Sequence, residues 1–428
     1  MASTAFEHAQ KAPTPSAPAR SLLRRLEDRL GFLSRQIRLF FTVQVFERFV
    51  IRRAARNFYL LIGGHIHFQS LSAAVQFDLF TLLERGGGLS LLEICAALGI
   101  EEQPAQILML SLVSTGLVKK RRGKYANSWV ARHHLSRTSP KNIADIILWQ
   151  HFINYRPMYH LFESLKANKN VGLEVFDGNE PTLYERLVHH PELEQVFQSA
   201  MTQISVQAND LFAQFADLGG VKSLLDVGGG HGSNIIQLAE RYPEINAAVF
   251  DFPSVCAAAQ ENILQHGLSS RLGARHGNCF LDSFPEGYDC ILFCHFFTIW
   301  SKAKNLQLLK KAFASLPEGG RVMIFNMMQF NDRSGPLSAT LGSPYFLTLA
   351  TGEGMLYTWS EYEELFREAG FCNIRRQALP KDHGLIVGFK PVTGQRSPAI
   401  EAPALEATDP LRAAEPRPVR GMARGSVR

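Results

Sequence analysis

Residues 224–234 read Leu224-Leu225-Asp226-Val227-Gly228-Gly229-Gly230-His231-Gly232-Ser233-Asn234, an apolar run rich in branched residues that meets a cluster of glycines. Ile235, Ile236, Leu238 and Ala239 then recur at helical spacing, so the stretch predicts a strand, a tight turn and a helix. Gly228, Gly230 and Gly232 lack Cβ, which lets the backbone take positive φ and lets a ligand lie against bare peptide at the helix mouth. The spacing is Asp-x-Gly-x-Gly-x-Gly. It departs from the dinucleotide fingerprint, whose last glycine would fall at Ser233.

A second strand follows at Ala247-Ala248-Val249-Phe250 and ends in Asp251, a carboxylate placed to accept hydrogen bonds from both hydroxyls of a ribose. Cys290-Ile291-Leu292-Phe293 and Arg321-Val322-Met323-Ile324-Phe325 read as further buried strands, the latter after the turn at residues 317–320. Strands alternating with helices predict an α/β fold, a Rossmann-like doubly wound parallel sheet whose ligands sit beyond the carboxyl ends of the strands.

The chain is 428 residues long, too long for one ordinary core, and reads as two domains with tails. Residues 1–20 and 392–428 are rich in Ala, Pro and polar residues and predict unfolded tails. Residues 21–56 form a basic amphipathic segment, with eight arginines between 21 and 54 interleaved with Leu and Phe. Such a helix suits peripheral contact with an anionic membrane, or packing on the protein body or a partner subunit. The formal charge of +6 lies largely in the ends, which argues against a nucleic-acid partner. Six cysteines without framework or Cys-x-x-Cys spacing, and no apolar run of membrane-spanning length, predict a cytoplasmic protein.

Residues 57–140 predict an all-α, winged-helix-like domain. Helical spacing runs through residues 70–83, Ser90 caps the next helix, and a third runs over residues 104–115. Lys119-Lys120-Arg121-Arg122-Gly123-Lys124-Tyr125 is a basic turn between short strands. The helix where a groove reader would sit, Gln103-Pro104-Ala105-Gln106-Ile107-Leu108-Met109-Leu110, offers no Arg or Lys to DNA. Residues 141–215 read as helices that mix aromatic and polar side chains, among them Trp149, His151, Tyr155 and Tyr159. That mixture suits either a wall around a flat ligand or plain core packing.

The glycine turn, Phe250-Asp251-Phe252-Pro253, Gly277-Asn278-Cys279-Phe280, Pro317-Glu318-Gly319-Gly320 and Ala369-Gly370-Phe371 occur in this order over residues 57–391. In these blocks the chain resembles the S-adenosylmethionine-dependent small-molecule O-methyltransferases, the family of the caffeic acid and acetylserotonin enzymes. The resemblance implies a class I methyltransferase domain at residues 216–391 and a homodimer built by the N-terminal domain. It also implies a small-molecule substrate covered by residues 141–215. S-adenosyl-L-methionine would lie on Gly228, Gly230, Gly232 and Asp251, with its adenine on Asn278, Cys279 and Phe280. Tyr155, Tyr159 and Trp300 would border the substrate. The family usually has Asp at position 278, and an Asn carbonyl accepts the same hydrogen bond without the charge.

The catalytic block departs from the family. Where its members carry His-Asp-Trp, with the histidine as base, this chain has Thr298-Ile299-Trp300, and a threonine hydroxyl is no base near neutral pH. Asn326 and Leu356 stand where the family has two acids that orient that histidine. His295 is either a replacement base or a core histidine. The expectation is that Thr298, His295 and Asn326 face the acceptor and position it, as in the C-methylating members. O-, C- and N-methylation all remain open, as does a non-methylating reaction such as cyclisation, or a non-catalytic dimeric binding role.

Overall fold

The computed structural model describes residues 29–36 and 52–392. The two predicted tails lie outside the described residues, except for Val392, and so does most of the basic segment at 21–54, of which residues 29–36 are helical. The chain divides into two compact units, one running to Ala208 and including Leu347–Gly352, the other comprising Asn209–Phe346 and the chain from Glu353 onward. No helix among the described residues is long and apolar enough to cross a membrane.

In the first unit, helices Gly64–Gln76, Leu79–Arg85, Leu91–Leu98 and Glu102–Ser114 close on a small antiparallel sheet. Its strands are β1 (Leu89–Ser90), β2 (Val118–Arg121) and β3 (Lys124–Asn127), in the order β1-β3-β2. Ala74, Leu79, Phe80, Leu83, Ile94, Met109 and Leu112 form their common core. The helical spacing through 70–83 is cut into two helices at Asp78, which takes a left-handed φ of 51°, a conformation a short polar side chain tolerates. Ser90 caps its helix in a reciprocal box with Glu93, an arrangement worth about 1 kcal/mol.

Beyond residue 140 the helical path is irregular. Helix Ala144–Trp149 runs into a π turn at Gln150–Asn154 and a 3-10 turn at Pro157–His160. The returning segment Leu347–Gly352 lies against it: a Cβ on Gly172 would meet the Thr348 carbonyl at 2.8 Å.

The second unit is built on a seven-stranded sheet of order β6-β5-β4-β7-β8-β10-β9. The strands are β4 (Ser223–Val227), β5 (Asn246–Asp251), β6 (Leu272–His276), β7 (Cys290–Cys294), β8 (Arg321–Met327), β9 (Cys372–Ala378) and β10 (His383–Phe389). The sheet is mixed where an all-parallel one was expected, because β10 runs antiparallel to both β8 and β9. The cause is the link from β9 to β10, which has room for a hairpin turn and none for a crossover helix. Val227, Ile291, Phe293, Val322, Ile324, Phe366 and Ile386 fill the core on one face. The strand order reverses between β4 and β7, the place where ligands of such sheets collect.

Candidate active site

The glycine turn leaves β4 and enters helix Ser233–Arg241, with Gly228, Gly230 and Gly232 at φ of 72°, 55° and 78°. Its position is fixed from two sides. The Gly228 amide donates to the Phe250 carbonyl at 2.9 Å, and the Gly230 amide donates to Asp251 Oδ2 at 3.2 Å. A Cβ on Gly228 would collide with the Phe296 ring, while one on Gly230 would meet open space. The turn therefore presents bare backbone beside the acid that closes β5.

Asp251 holds its carboxylate with two main-chain donors, Gly230 and, at 2.8 Å, Phe252, leaving lone pairs for a ligand's hydroxyls. Burial raises its pKa above the usual carboxylate range. Asp226 supports the turn from below: it is fully buried, and its Oδ2 accepts from Asn234 Nδ2 at 3.0 Å. Its Oδ1 has no partner among the described residues, and burial pushes its pKa up to about 7. Its place in the Asp-x-Gly signature was the only sequence sign of this residue.

Gly277-Asn278-Cys279-Phe280 follows β6. The Asn278 carbonyl oxygen turns back to accept from the amides of Phe280 and Leu281, at 2.9 and 3.3 Å, so its acceptor capacity is engaged within its own turn. The Cys279 thiol is pushed up to about 12 by burial, which makes it an apolar wall and an inert nucleophile. Phe280 meets Trp300 edge to face at 4.8 Å, and Lys304 Nζ lies 4.7 Å over the Trp300 ring while pairing with Glu353 at 2.7 Å. Trp300 thus groups with Phe280 and Phe296 beside the glycine turn.

Thr298 sits buried in the 3-10 turn Phe297–Ile299. Gly354 packs directly on the Thr298 carbonyl. Asn326 is fully buried and donates to the Tyr362 hydroxyl at 3.2 Å, with its Oδ1 unpartnered among the described residues. Leu356 is buried and apolar. These three positions thus hold no ionisable side chain that could relay a proton. His295 takes a left-handed φ of 51°, and its ring packs edge-on to Phe325 and His383. Burial, with a smaller contribution from His383, holds its pKa down to about 3, so it is neutral and weakly basic.

In the first unit Tyr155 stacks on Phe68 at 5.6 Å and, with Asn154, Met158 and the largely exposed Tyr159, lines a cavity of about 530 Å³.

A mixed seven-stranded sheet carrying this turn, with an acid closing the next strand, defines a class I methyltransferase. Comparison with known proteins gives the family. The O-methyltransferase domain model matches residues 159–372 and the O-methyltransferase dimerisation domain model matches residues 59–137. The L-tyrosine C(3)-methyltransferase of Streptomyces lavendulae is 36% identical over 77% of this chain and 91% of its own length. The 3-hydroxy-5-methyl-1-naphthoate 3-O-methyltransferase of Streptomyces sahachiroi is 30% identical over 75% and 91%. Among solved structures, the S-adenosylmethionine-dependent methyltransferase SibL in its apo form superposes with a TM-score of 0.70 at 36% identity, covering 78% of this chain and 98% of SibL.

The chain belongs to the O-methyltransferase family. It is an S-adenosylmethionine-dependent methyltransferase of small molecules, of the kind found in secondary metabolism, with a dimerisation domain. The residues present fit that cofactor: Gly230 leaves open space beside the turn, and the Asp251 carboxylate is already oriented by two amides.

Proposed function

We propose that the protein methylates a ring carbon of a phenolic acceptor. The observation that carries this reading is the contrast within one domain: the cofactor cradle is intact, while Thr298, Asn326 and Leu356 provide no base at the position where the family deprotonates an oxygen. The 36% identity to an L-tyrosine C(3)-methyltransferase supports the same reading. When bound, S-adenosylmethionine supplies an electrophilic sulfonium methyl. The protein's own contribution is alignment of a carbon that its phenol already makes nucleophilic.

Gly228, Gly230, Gly232 and Asp251 hold the methionine and ribose, and Cys279, Phe280 and Trp300 wall the adenine, with Asn278 shaping the turn beneath it. Thr298 and Asn326 shape the acceptor space. Tyr155 and Tyr159 line a cavity of the helical unit that suits a small aromatic molecule, and the dimerisation domain of that unit pairs two copies as a homodimer. Six free cysteines support a cytoplasmic site of action.

The test is product mass and position. Incubation with S-adenosylmethionine and a panel of phenols, L-tyrosine included, is expected to yield a product heavier by one methyl, with loss of one aromatic proton signal by NMR. A product in which the methyl sits on oxygen, with all ring protons retained, would overturn the assignment to carbon.

A further inference from the structure

His295 and His383 pack around Phe325, and Asn209 lies on the helix that brings Phe212 to the same ring. His295 follows β7, and its amide donates to the Phe325 carbonyl at 2.8 Å. His383 opens β10 and stacks on Phe325, with ring centres 5.1 Å apart. The two imidazoles stand nearly perpendicular, at 5.2 Å. Phe212 meets the same Phe325 ring at 5.2 Å, and Asn209 lies one helical turn before Phe212, on the same helix face.

Asn209 and His295 carry polar atoms without a partner among the described residues. Asn209 is 2% exposed, and neither its amide nitrogen nor its oxygen is hydrogen-bonded. His295 Nε2 is also buried and unpartnered. Folded interiors seldom leave such groups unpaired, so these atoms are available to pair with a polar ligand.

His383 indicates what that ligand brings. Its Nδ1 lies 2.8 Å from the Lys381 carbonyl, and a carbonyl can only accept, so Nδ1 carries the proton and Nε2 presents a lone pair. Burial lowers the His383 pKa, which keeps that lone pair free near neutral pH. The other charged groups acting on it are Lys381, which lowers the pKa, and Asp382, which raises it and accepts from the Ser338 hydroxyl at 2.6 Å.

We propose that this cluster receives the hydroxyl of the phenolic acceptor, with His383 Nε2 taking its proton and His295 and Asn209 holding its oxygen. The O–H bond breaks, its electron pair stays on oxygen and delocalises into the ring, and an N–H bond forms at Nε2. The imidazolium returns its proton to the oxygen when the methylated carbon loses its own proton to solvent. The proposal rests on carbon as the methyl acceptor. In that reaction the oxygen that ionises is not the atom that receives the methyl, so its base belongs away from position 298.

The test uses 3-nitro-L-tyrosine, whose phenolate absorbs visible light, bound to the full-length protein with S-adenosylhomocysteine. In the wild type the phenol is expected to ionise at a pH lower by about one unit or more, a tenfold change in its ionisation constant. His383→Gln should abolish the shift and Asn209→Leu should weaken probe binding about tenfold, comparable to a lost buried hydrogen bond. Both variants should keep their affinity for S-adenosylhomocysteine, measured by calorimetry. An unshifted phenol in wild type that binds S-adenosylhomocysteine, or a shift that survives His383→Gln, overturns the proposal. Absence of S-adenosylhomocysteine binding by the wild type would instead sink the cofactor site, and this assignment with it.

Discussion

Gly230 and Asp251 are joined by a hydrogen bond of 3.2 Å from main-chain amide to carboxylate, so the turn after β4 and the acid closing β5 act as one rigid cradle. Removing the carboxylate removes the tie that holds the turn and, in the proposed cofactor site, the acceptor for the ribose hydroxyls. Asp251→Ala is therefore expected to weaken S-adenosylhomocysteine binding at least 100-fold by calorimetry, about 2.7 kcal/mol, in line with losing charge-assisted hydrogen bonds. Binding within threefold of wild type would remove Asp251 from the cofactor site.

Asp251 was legible in the sequence because an acid closing a branched strand after a glycine turn has few structural reasons to be there. Strand β6 was not, since Leu272 is the only fully buried side chain in Leu272–His276 and the segment carries no apolar run. The reversed direction of β10 was equally hidden, because hydrophobic periodicity is the same for either direction of pairing. That reversal brings His383 beside His295, and no local signal in Lys381-Asp382-His383-Gly384 announces a partner so distant in the chain. The expectation for Asn278 rested on what its carbonyl can accept, whereas its engagement by Phe280 and Leu281 depends on loop geometry.

Asp226 makes folding stability depend on pH. Its folded pKa of about 7 lies above that of an unfolded aspartate, about 3.9, so between those values the folded protein keeps a proton that the unfolded chain releases. Its contribution is complete below about pH 4, falls as pH rises and levels off above about 7, with a slope of at most about 1.4 kcal/mol per unit. Asp226→Asn should remove that slope. Urea denaturation of both proteins at pH 5 and pH 8 checks it: equal pH responses would show that the buried carboxylate is ionised in the fold throughout.

Thr298 is buried and carries no ionisable side chain, and Asn326 and Leu356 offer no acid to orient a base there. Thr298→Ala is therefore expected to keep kcat within about threefold, far less than the 100-fold or more of a lost general base. Thr298→His should not create an efficient oxygen methylator. Initial rates with separated O- and C-methyl products decide both points, and a 100-fold loss in Thr298→Ala would restore a chemical role to this residue.

The glycines of the cradle should differ in what they tolerate. Both Gly228 and Gly230 have positive φ, so alanine at either costs roughly 1–2 kcal/mol in backbone conformation. At Gly230 the added methyl enters open space, whereas at Gly228 it meets the Phe296 ring, adding about 1–3 kcal/mol of overpacking or displacing the ring. Phe296 also faces Trp300, with ring centres 6.3 Å apart, so displacement would reach that ring. Gly228→Ala should thus lower the melting temperature more than Gly230→Ala. Adding Phe296→Ala to Gly228→Ala should relieve the steric part and leave the backbone part, so the double variant should lose less stability than its two single changes summed. Strict additivity would mean that the ring is not what excludes a side chain at 228, and that glycine stands there for its φ alone.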